Sequence, residues 1–552
     1  MLDVTFCLLI TLLLTIITRS IIERSRNRKI HAFMKSVPGP MTIPFVGSAY
    51  VLAGINRLNL FRVIRNLDVM YPGSKGFWIF GDPYLVTSDP SVFKAVLGST
   101  QSINKTRDYE YFQKHCHGIF TTNGTAWRNM RKIINPAFRT KVLESFGENF
   151  KFHTENFLEI LRKYSSSEDN FDLFTTVHSC TIDLVCENML GYRLDVQKKG
   201  LIHYSTNLQR STEMIFERSF SFPLWSKLIY VALGKMEELD AAVKPMQDIC
   251  RKIVNERLKQ KLDSQSENTD KTESIRNFME IILENIQSGA VTQDQAVEEA
   301  IEIFLSGSTT TAGITSWVFQ TLAMWPEIQR RVHQEIVENC NGDEVTTNDL
   351  SKLVYLEMVI KETLRHYTAP FIARHIDEDL KVNEETTIPA GMNVMLLTFS
   401  MHHDPNYWER PGNFYPEHFS AENESARRKG VFLPLSGGPR ICAGNKYAMI
   451  SMKYLIANTL LHYEFRSDRK PPADIREDDF RIVFVLCPTN GFSVTVTDRN
   501  LRKCSKTDRK LRKCSKTDSV IPSLQQSTVK QQEGHIISEF IRPVGPKDMV
   551  LR

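Results

Sequence analysis

Apolar and polar positions divide the chain into an apolar start, a short connector, a long body and a polar end. Leu2 to Ile17 is almost wholly apolar, broken only by Asp3 and several threonines, and with Thr18 to Ile22 it approaches the length of a bilayer-spanning helix. Arg19, Arg24, Arg26, Arg28 and Lys29 lie at and beyond its end, and no basic side chain precedes it. The positive-inside rule then puts the body in the cytosol. Residues 1–22 read as an uncleaved single-pass anchor, since the basic start and small-residue cleavage site of a removable leader are not evident. Residues 23–49 read as a basic, proline-rich linker, in which Val37-Pro38-Gly39-Pro40, Pro44 and Gly47 make a stiff, non-helical connector.

The body, residues 50–498, is expected to be mainly α with small β-sheets. Long amphipathic stretches fill residues 125 to 365. The longest runs from about Thr292 to Ala323, opened by Thr292 and Gln295 at capping-box spacing and followed by Pro326 at the start of the next helix. Trp78-Ile79-Phe80 and Tyr84 to Thr87 flank Gly81-Asp82-Pro83, which predicts a hairpin. Strand-like pieces recur at Thr387 to Ile388, Val394 to Leu397, Arg481 to Val485 and Phe492 to Val496. Asp263 to Ser274 is polar and reads as a surface loop. Residues 499–552 lack apolar periodicity and read as a disordered tail, in which the octapeptide Leu501 to Asp508 recurs unchanged at Leu511 to Asp518.

Composition narrows the class. A chain of 552 residues can hold one large core or several small ones. Its net charge of +5 is mild, and no basic stripe interleaved with aromatics points to nucleic acid. The ten cysteines show no CxxC pairs, which argues against a disulfide scaffold or a zinc site and suits a reducing compartment. Glycosylation sequons at Asn104, Asn123 and Asn423 would stay unmodified in a cytosolic body.

One cysteine differs from the rest. Phe432-Leu433-Pro434-Leu435-Ser436-Gly437-Gly438-Pro439-Arg440-Ile441-Cys442-Ala443-Gly444 places Cys442 in a Gly/Pro-rich loop before the helical stretch Asn445 to Leu461. Glycines let backbone approach a flat cofactor, and N–H groups near a helix start stabilise a thiolate. Arg440 is suited to an anionic group such as a haem propionate. Further motifs are Lys361-Glu362-Thr363-Leu364-Arg365, whose Glu362 and Arg365 share a helix face; Pro416-Glu417-His418-Phe419; Trp127 and Arg131, four apart; Arg374; and Leu305 to Gly313 in the middle of the long helix.

Together, and in this order, these motifs resemble those of cytochromes P450, over roughly residues 38 to 498. Trp127 to Phe138, ending Asn135-Pro136-Ala137-Phe138, is most similar to family-4-type animal enzymes. The resemblance implies the P450 fold with an N-terminal transmembrane helix, and haem b held by Cys442 as metal ligand. It implies cofactor contacts at Trp127, Arg131, Arg374, Arg440, Gly438 and Gly444. Glu362, Arg365 and His418 would form a structural core, with His418 where a basic residue is usual. Thr310 and Thr309 would be the catalytic pair, Thr310 as the alcohol and Thr309 at the position where the family carries an acid. Leu435 replaces the usual aromatic, and Ser306 stands where some family-4-type enzymes esterify haem through a glutamate, so no covalent link is expected.

The implied activity is insertion of one oxygen atom from O2 into a lipophilic substrate of the fatty acid, hormone or xenobiotic class. NADPH-derived electrons would arrive through NADPH–cytochrome P450 reductase, with cytochrome b5 as a further donor, at the endoplasmic reticulum membrane. Two alternatives stay open: a P450-like isomerase or dehydratase acting on peroxides without a reductase, and a non-catalytic haem-binding homologue.

Overall fold

The axis of the fold is the helix Gln293–Met324, and its sequence explains its burial. Thr292 Oγ1 accepts the Gln295 N–H at 3.1 Å and Gln295 Oε1 accepts the Thr292 N–H at 2.8 Å, closing the expected capping box. Beyond that cap its residues are small or apolar on almost every face, as a helix surrounded by protein requires. At about 1.5 Å per residue it spans about 48 Å. It packs on the equally buried helix Leu173–Leu190 and on Lys235–Ser266, Val354–Tyr367 and Asn445–His462. Pro326 opens the next helix, Pro326–Asn339, as expected.

This computed structural model describes residues 27–499 except 57, 114, 115, 168, 267–275, 341 and 343. The expected anchor, residues 1–22, and residues 500–552 with both copies of the octapeptide lie outside the described residues, as does most of the expected loop at 263–274. The helix Lys235–Ser266 continues into the start of that loop. Among the described residues no helix is long and apolar enough to cross a membrane.

The main sheet has four strands. Strands β1 (Lys75–Ile79) and β2 (Asp82–Thr87) form the expected hairpin, turning through Phe80 and Gly81 at φ 49° and 93°. Strands β3 (Ile372–His375) and β4 (Asn393–Leu396) complete it in the order β1-β2-β4-β3, with β2 and β4 parallel. The remaining strands form three small sheets. The single strand expected at Arg481 to Val485 is two: Phe484 takes φ 58° and folds Phe480–Val483 back on Val485–Pro488.

From residue 28 the expected linker belongs to the body. Arg28–Ser36 is helical, buries Ile30 and Met34, and stacks His31 on Trp78 at 4.7 Å. The following Pro-Gly stretch runs along β1, where the Gly76 N–H donates to Pro38 O at 2.8 Å. Gly39 lies so close to the Gly76 carbonyl that a Cβ there would collide with it.

Candidate active site

An internal cavity separates the middle of the long helix from the loop that carries Cys442. Cys442 is the exposed one among the free cysteines of the described residues; the other six are buried. Its sulfur nonetheless lies deep in the protein, so the accessible surface faces the cavity rather than bulk solvent. Burial pushes its thiol up, against the opposing pull of the Gly444 N–H and Arg131.

Backbone contacts fix this loop. The Cys442 N–H donates to Leu435 O at 3.0 Å, and the Ser436 N–H to Leu433 O at 3.2 Å. Thr368 Oγ1 donates to Pro434 O at 2.6 Å. Gly438 has φ 66°, and a Cβ there would run into the Leu97 carbonyl, so both conformation and space demand glycine. At Gly444 a Cβ would meet protein no nearer than the Phe138 ring at 3.9 Å; the room there belongs to the cavity.

Behind the loop stands the expected trio, extended by three histidines that the sequence motifs did not reveal. Arg365 donates to both oxygens of Glu362, at 2.9 and 2.7 Å, with both side chains fully buried. Burial alone would raise the Glu362 carboxyl, but Arg365, then His366 and His418, hold it well below the usual carboxylate range. His418 Nδ1 lies 3.2 Å from each Glu362 oxygen and its Nε2 lies 2.5 Å from Glu409 O. Both ring nitrogens face oxygen acceptors, and histidine stands at the position where a basic residue is usual.

Arg365 also donates to the carbonyls of His402 and Pro411, at 2.8 Å each, and of Asn413 at 3.0 Å. His402 transmits this to the cysteine loop: its Nδ1 lies 3.2 Å from Arg365 O, and its Nε2 accepts the Leu433 N–H at 3.0 Å. His366 Nδ1 faces His403 Nε2 at 2.8 Å, and His403 Nδ1 faces Phe399 O at 2.7 Å. Burial lowers His402 to about 3 and His366 to about 4, so both rings are neutral near pH 7.

Four cations reach the cavity. Arg131, Arg374 and Arg440 were expected; Lys105 was not, since nothing in its local sequence marks it. Arg440 donates to Thr122 O, sits 4.6 Å from the centre of the buried Trp127 ring, and keeps a buried Nε without a partner. Arg374 donates to Ala373 O at 2.9 Å and to Ser436 Oγ at 3.4 Å. Burial, then repulsion from Arg374, lowers Arg440 to about 9, and burial with repulsion from Arg374 and Arg440 lowers Lys105. None of the four forms an ion pair among the described residues, although buried cations are costly without an anion. A planar group bearing two carboxylates beside a thiolate-bound metal meets this demand, so the residues present fit haem b.

On the helix side Thr310 lines the cavity and donates to Ser306 O at 2.6 Å. Thr309 does not join it. Its Oγ1 turns to His178 Nε2 at 3.3 Å, a buried ring that desolvation lowers to about 3 and keeps neutral. The expected catalytic pair is therefore divided, with Thr310 alone at the cavity. Ser306 lines it too, and one turn earlier stands a carboxyl that the motifs did not single out, Glu302.

Comparison with known proteins matches this geometry. A family model described as Cytochrome P450 matches residues 37–496. Cytochrome P450 4d2 of Drosophila melanogaster is 28% identical over 485 residues, covering 84% of this chain and 94% of that protein. Cytochrome P450 4c21 of Blattella germanica is 26% identical over 510 residues, covering 90% and 100%. Cytochrome P450 4V2 of Mus musculus is 27% identical over 489 residues, covering 83% and 90%.

Proposed function

The chain belongs to the cytochrome P450 family and is a haem monooxygenase, and on that premise we propose that it hydroxylates a lipophilic substrate at a membrane with electrons from NADPH–cytochrome P450 reductase. One observation carries the reading: a single cysteine sulfur opens onto an internal cavity lined by four basic side chains that form no ion pair among the described residues. Haem, when bound, supplies an iron centre that activates O2 and passes one oxygen atom to carbon.

The chain's own residues then have separable tasks. Cys442 would hold the haem iron through its sulfur, with the Gly444 N–H and Arg131 favouring the thiolate. Trp127, Arg131, Arg374, Arg440 and Lys105 would receive the two haem propionates. Glu362, Arg365 and His418 hold the cysteine loop through His402 and take no part in bond breaking. Phe112, Phe120, Phe216, Phe484 and Ile314 make the substrate wall apolar, which excludes water and favours a lipophilic substrate.

Membrane attachment is supported by a surface feature as well as by the apolar start of the chain. Met41, Phe45, Phe80, Leu228 and Leu233 are exposed. The Phe80 N–H donates to Val46 O, and its ring lies 5.6 Å from Trp225, just before the helix Lys227–Ala232. The three segments adjoin in one apolar patch suited to lipid. Cytochrome b5 is proposed as a second electron donor, and the endoplasmic reticulum as the membrane.

The test is spectroscopic, then chemical. Reduced protein with carbon monoxide should show the red-shifted Soret band of thiolate ligation, lost in Cys442→Ala. With reductase and NADPH, products carrying one added oxygen atom from 18O2 should appear. Absence of the shifted band in folded, haem-loaded protein would overturn the proposal.

A further inference from the structure

The long helix carries a proton-bearing side chain at every fourth position from Glu298 through Glu302 and Ser306 to Thr310. The row ends at Ile314. Glu298 is half-buried at the outer end, whereas Glu302, Ser306 and Thr310 line the cavity. The helix backbone fixes the two hydroxyls: Ser306 Oγ donates to the backbone carbonyl of Glu302 and Thr310 Oγ1 to that of Ser306, both at 2.6 Å. Each step rises about 6 Å along the axis, a gap that one water can bridge.

A loop closes over the outer part of this row. The His117 N–H donates to Glu298 Oε2 at 3.0 Å, and Cys116 Sγ–H donates to Glu302 Oε2 at 2.8 Å. Gly118 lies so near the helix that a Cβ would strike the Glu302 side chain. Asp108 is the other carboxyl lining the cavity among the described residues; it accepts the Tyr84 hydroxyl at 3.0 Å and belongs to a different element.

We propose that Glu302 is a positioning acid that feeds protons through Ser306, Thr310 and intervening water to the oxygen being reduced in the cavity, and is recharged from solvent through Glu298. This rests on the monooxygenase reading. The reaction is R–H + O2 + 2 e− + 2 H+ → R–OH + H2O: the O–O and C–H bonds break, NADPH supplies both electrons through the reductase, both protons leave in the water, and the hydroxyl keeps the hydrogen of the C–H bond; without substrate the branches are O2 + 4 e− + 4 H+ → 2 H2O and O2 + 2 e− + 2 H+ → H2O2. Glu302 gives up one proton per step and takes one back. The row also answers the departure at position 309, because an acid is present on the same helix two turns earlier.

Burial raises the Glu302 carboxyl to about 7, so near neutral pH it can both hold and release a proton. The groups facing it are Glu298 and Glu299 on its own helix, Cys116 on the covering loop, and Lys105 on the segment before it. Glu299, raised to about 8 by burial, accepts the Ile119 N–H at 3.2 Å and serves the loop.

Glu302 also fastens that loop through Cys116, and Glu302→Gln separates the two roles. The amide oxygen still accepts from Cys116, but the acidic proton is gone. Holoenzyme with reductase and NADPH, without added substrate, divides O2 between water and hydrogen peroxide. The variant should form water at least about tenfold more slowly, release the difference as peroxide, and lose the fall in rate as pH rises through about 7. Glu302→Asp should recover part of the water-forming rate. Infrared difference titration of the same proteins, without turnover, should show a protonated-carboxyl band titrating near 7 in wild type and missing in Glu302→Gln. A variant with the wild-type water-to-peroxide ratio, or a wild type without that band, overturns the inference alone. A wild type lacking both the red-shifted carbon monoxide band and NADPH-dependent O2 uptake overturns the underlying reading and the inference with it.

Discussion

The two walls of the cavity are built from opposite kinds of polar contact. On the cysteine side a fully buried salt bridge, Glu362–Arg365, is wired through His402 into a loop whose own shape is held by backbone hydrogen bonds. On the helix side Glu299 and Glu302 are buried with no salt bridge among the described residues, and burial raises them to about 8 and 7. Charge is neutralised by pairing on one wall and by protonation on the other. The first arrangement gives rigidity and a fixed sulfur. The second leaves a titratable group where protons are consumed.

The most disruptive way to break this contrast is to unpair the cysteine side. Glu362→Ala leaves Arg365 buried without its carboxylate, and removing one partner of a buried pair costs about 3–5 kcal/mol. Thermal unfolding should fall accordingly, and haem content should fall with it because His402 and Leu433 lose their anchor. A variant that melts as wild type would show that the trio is dispensable for the loop. Gly438→Ala should cost less, about 1–3 kcal/mol for a strained residue, but its damage should be local. Leu97 and the cysteine loop must part, so the red-shifted carbon monoxide band should convert to an unshifted one while helical content persists.

A third change touches the rim between the walls. Lys105→Met keeps the length of the side chain and removes the charge. A charge-assisted hydrogen bond contributes about 1.5–3 kcal/mol, so haem should transfer to an acceptor such as apomyoglobin about tenfold or more faster. Unchanged transfer would leave the propionates to the three arginines.

These residues also mark what the sequence disclosed. The long helix was legible because its capping box and apolar run are local signals. The hairpin at Gly81 and the helix after Cys442 were legible for the same reason. Cys442, Glu362, Arg365 and His418 were marked through motif resemblance, and the structure brings Arg365 and His418 within hydrogen-bonding distance of Glu362. His366, His402 and His403 were not, because their roles arise where three separated segments converge. Lys105 lacks any local mark, and Glu302 was hidden in a run of ordinary helix acids until the cavity distinguished it from Glu298 and Glu299. Thr309 and Thr310 are adjacent in sequence, but a helix turns consecutive residues apart by about 100°, and only the packing of Leu173–Leu190 reveals which one faces the cavity.

The smallest expected effect sharpens the comparison most, because the two walls should respond to pH with opposite sign. Glu362 has a folded value well below its ordinary 4.5. Its contribution is therefore present above about 4.5 and lost as pH falls through the depressed value. Glu302 and Glu299 have folded values of about 7 and 8 against the same 4.5. Between about 4.5 and 8 the unfolded chain releases protons that the folded chain keeps, so their contribution is present below 4.5 and fades as pH rises through 7 and then 8. Denaturant midpoints of the holoprotein should accordingly decline on both flanks. Glu299→Gln, which cannot ionise but still offers an oxygen to the Ile119 N–H, should flatten the alkaline decline and leave the acid one unchanged. If both flanks keep their slope in that variant, Glu299 is already ionised in the folded protein, and the helix wall is not neutral by protonation.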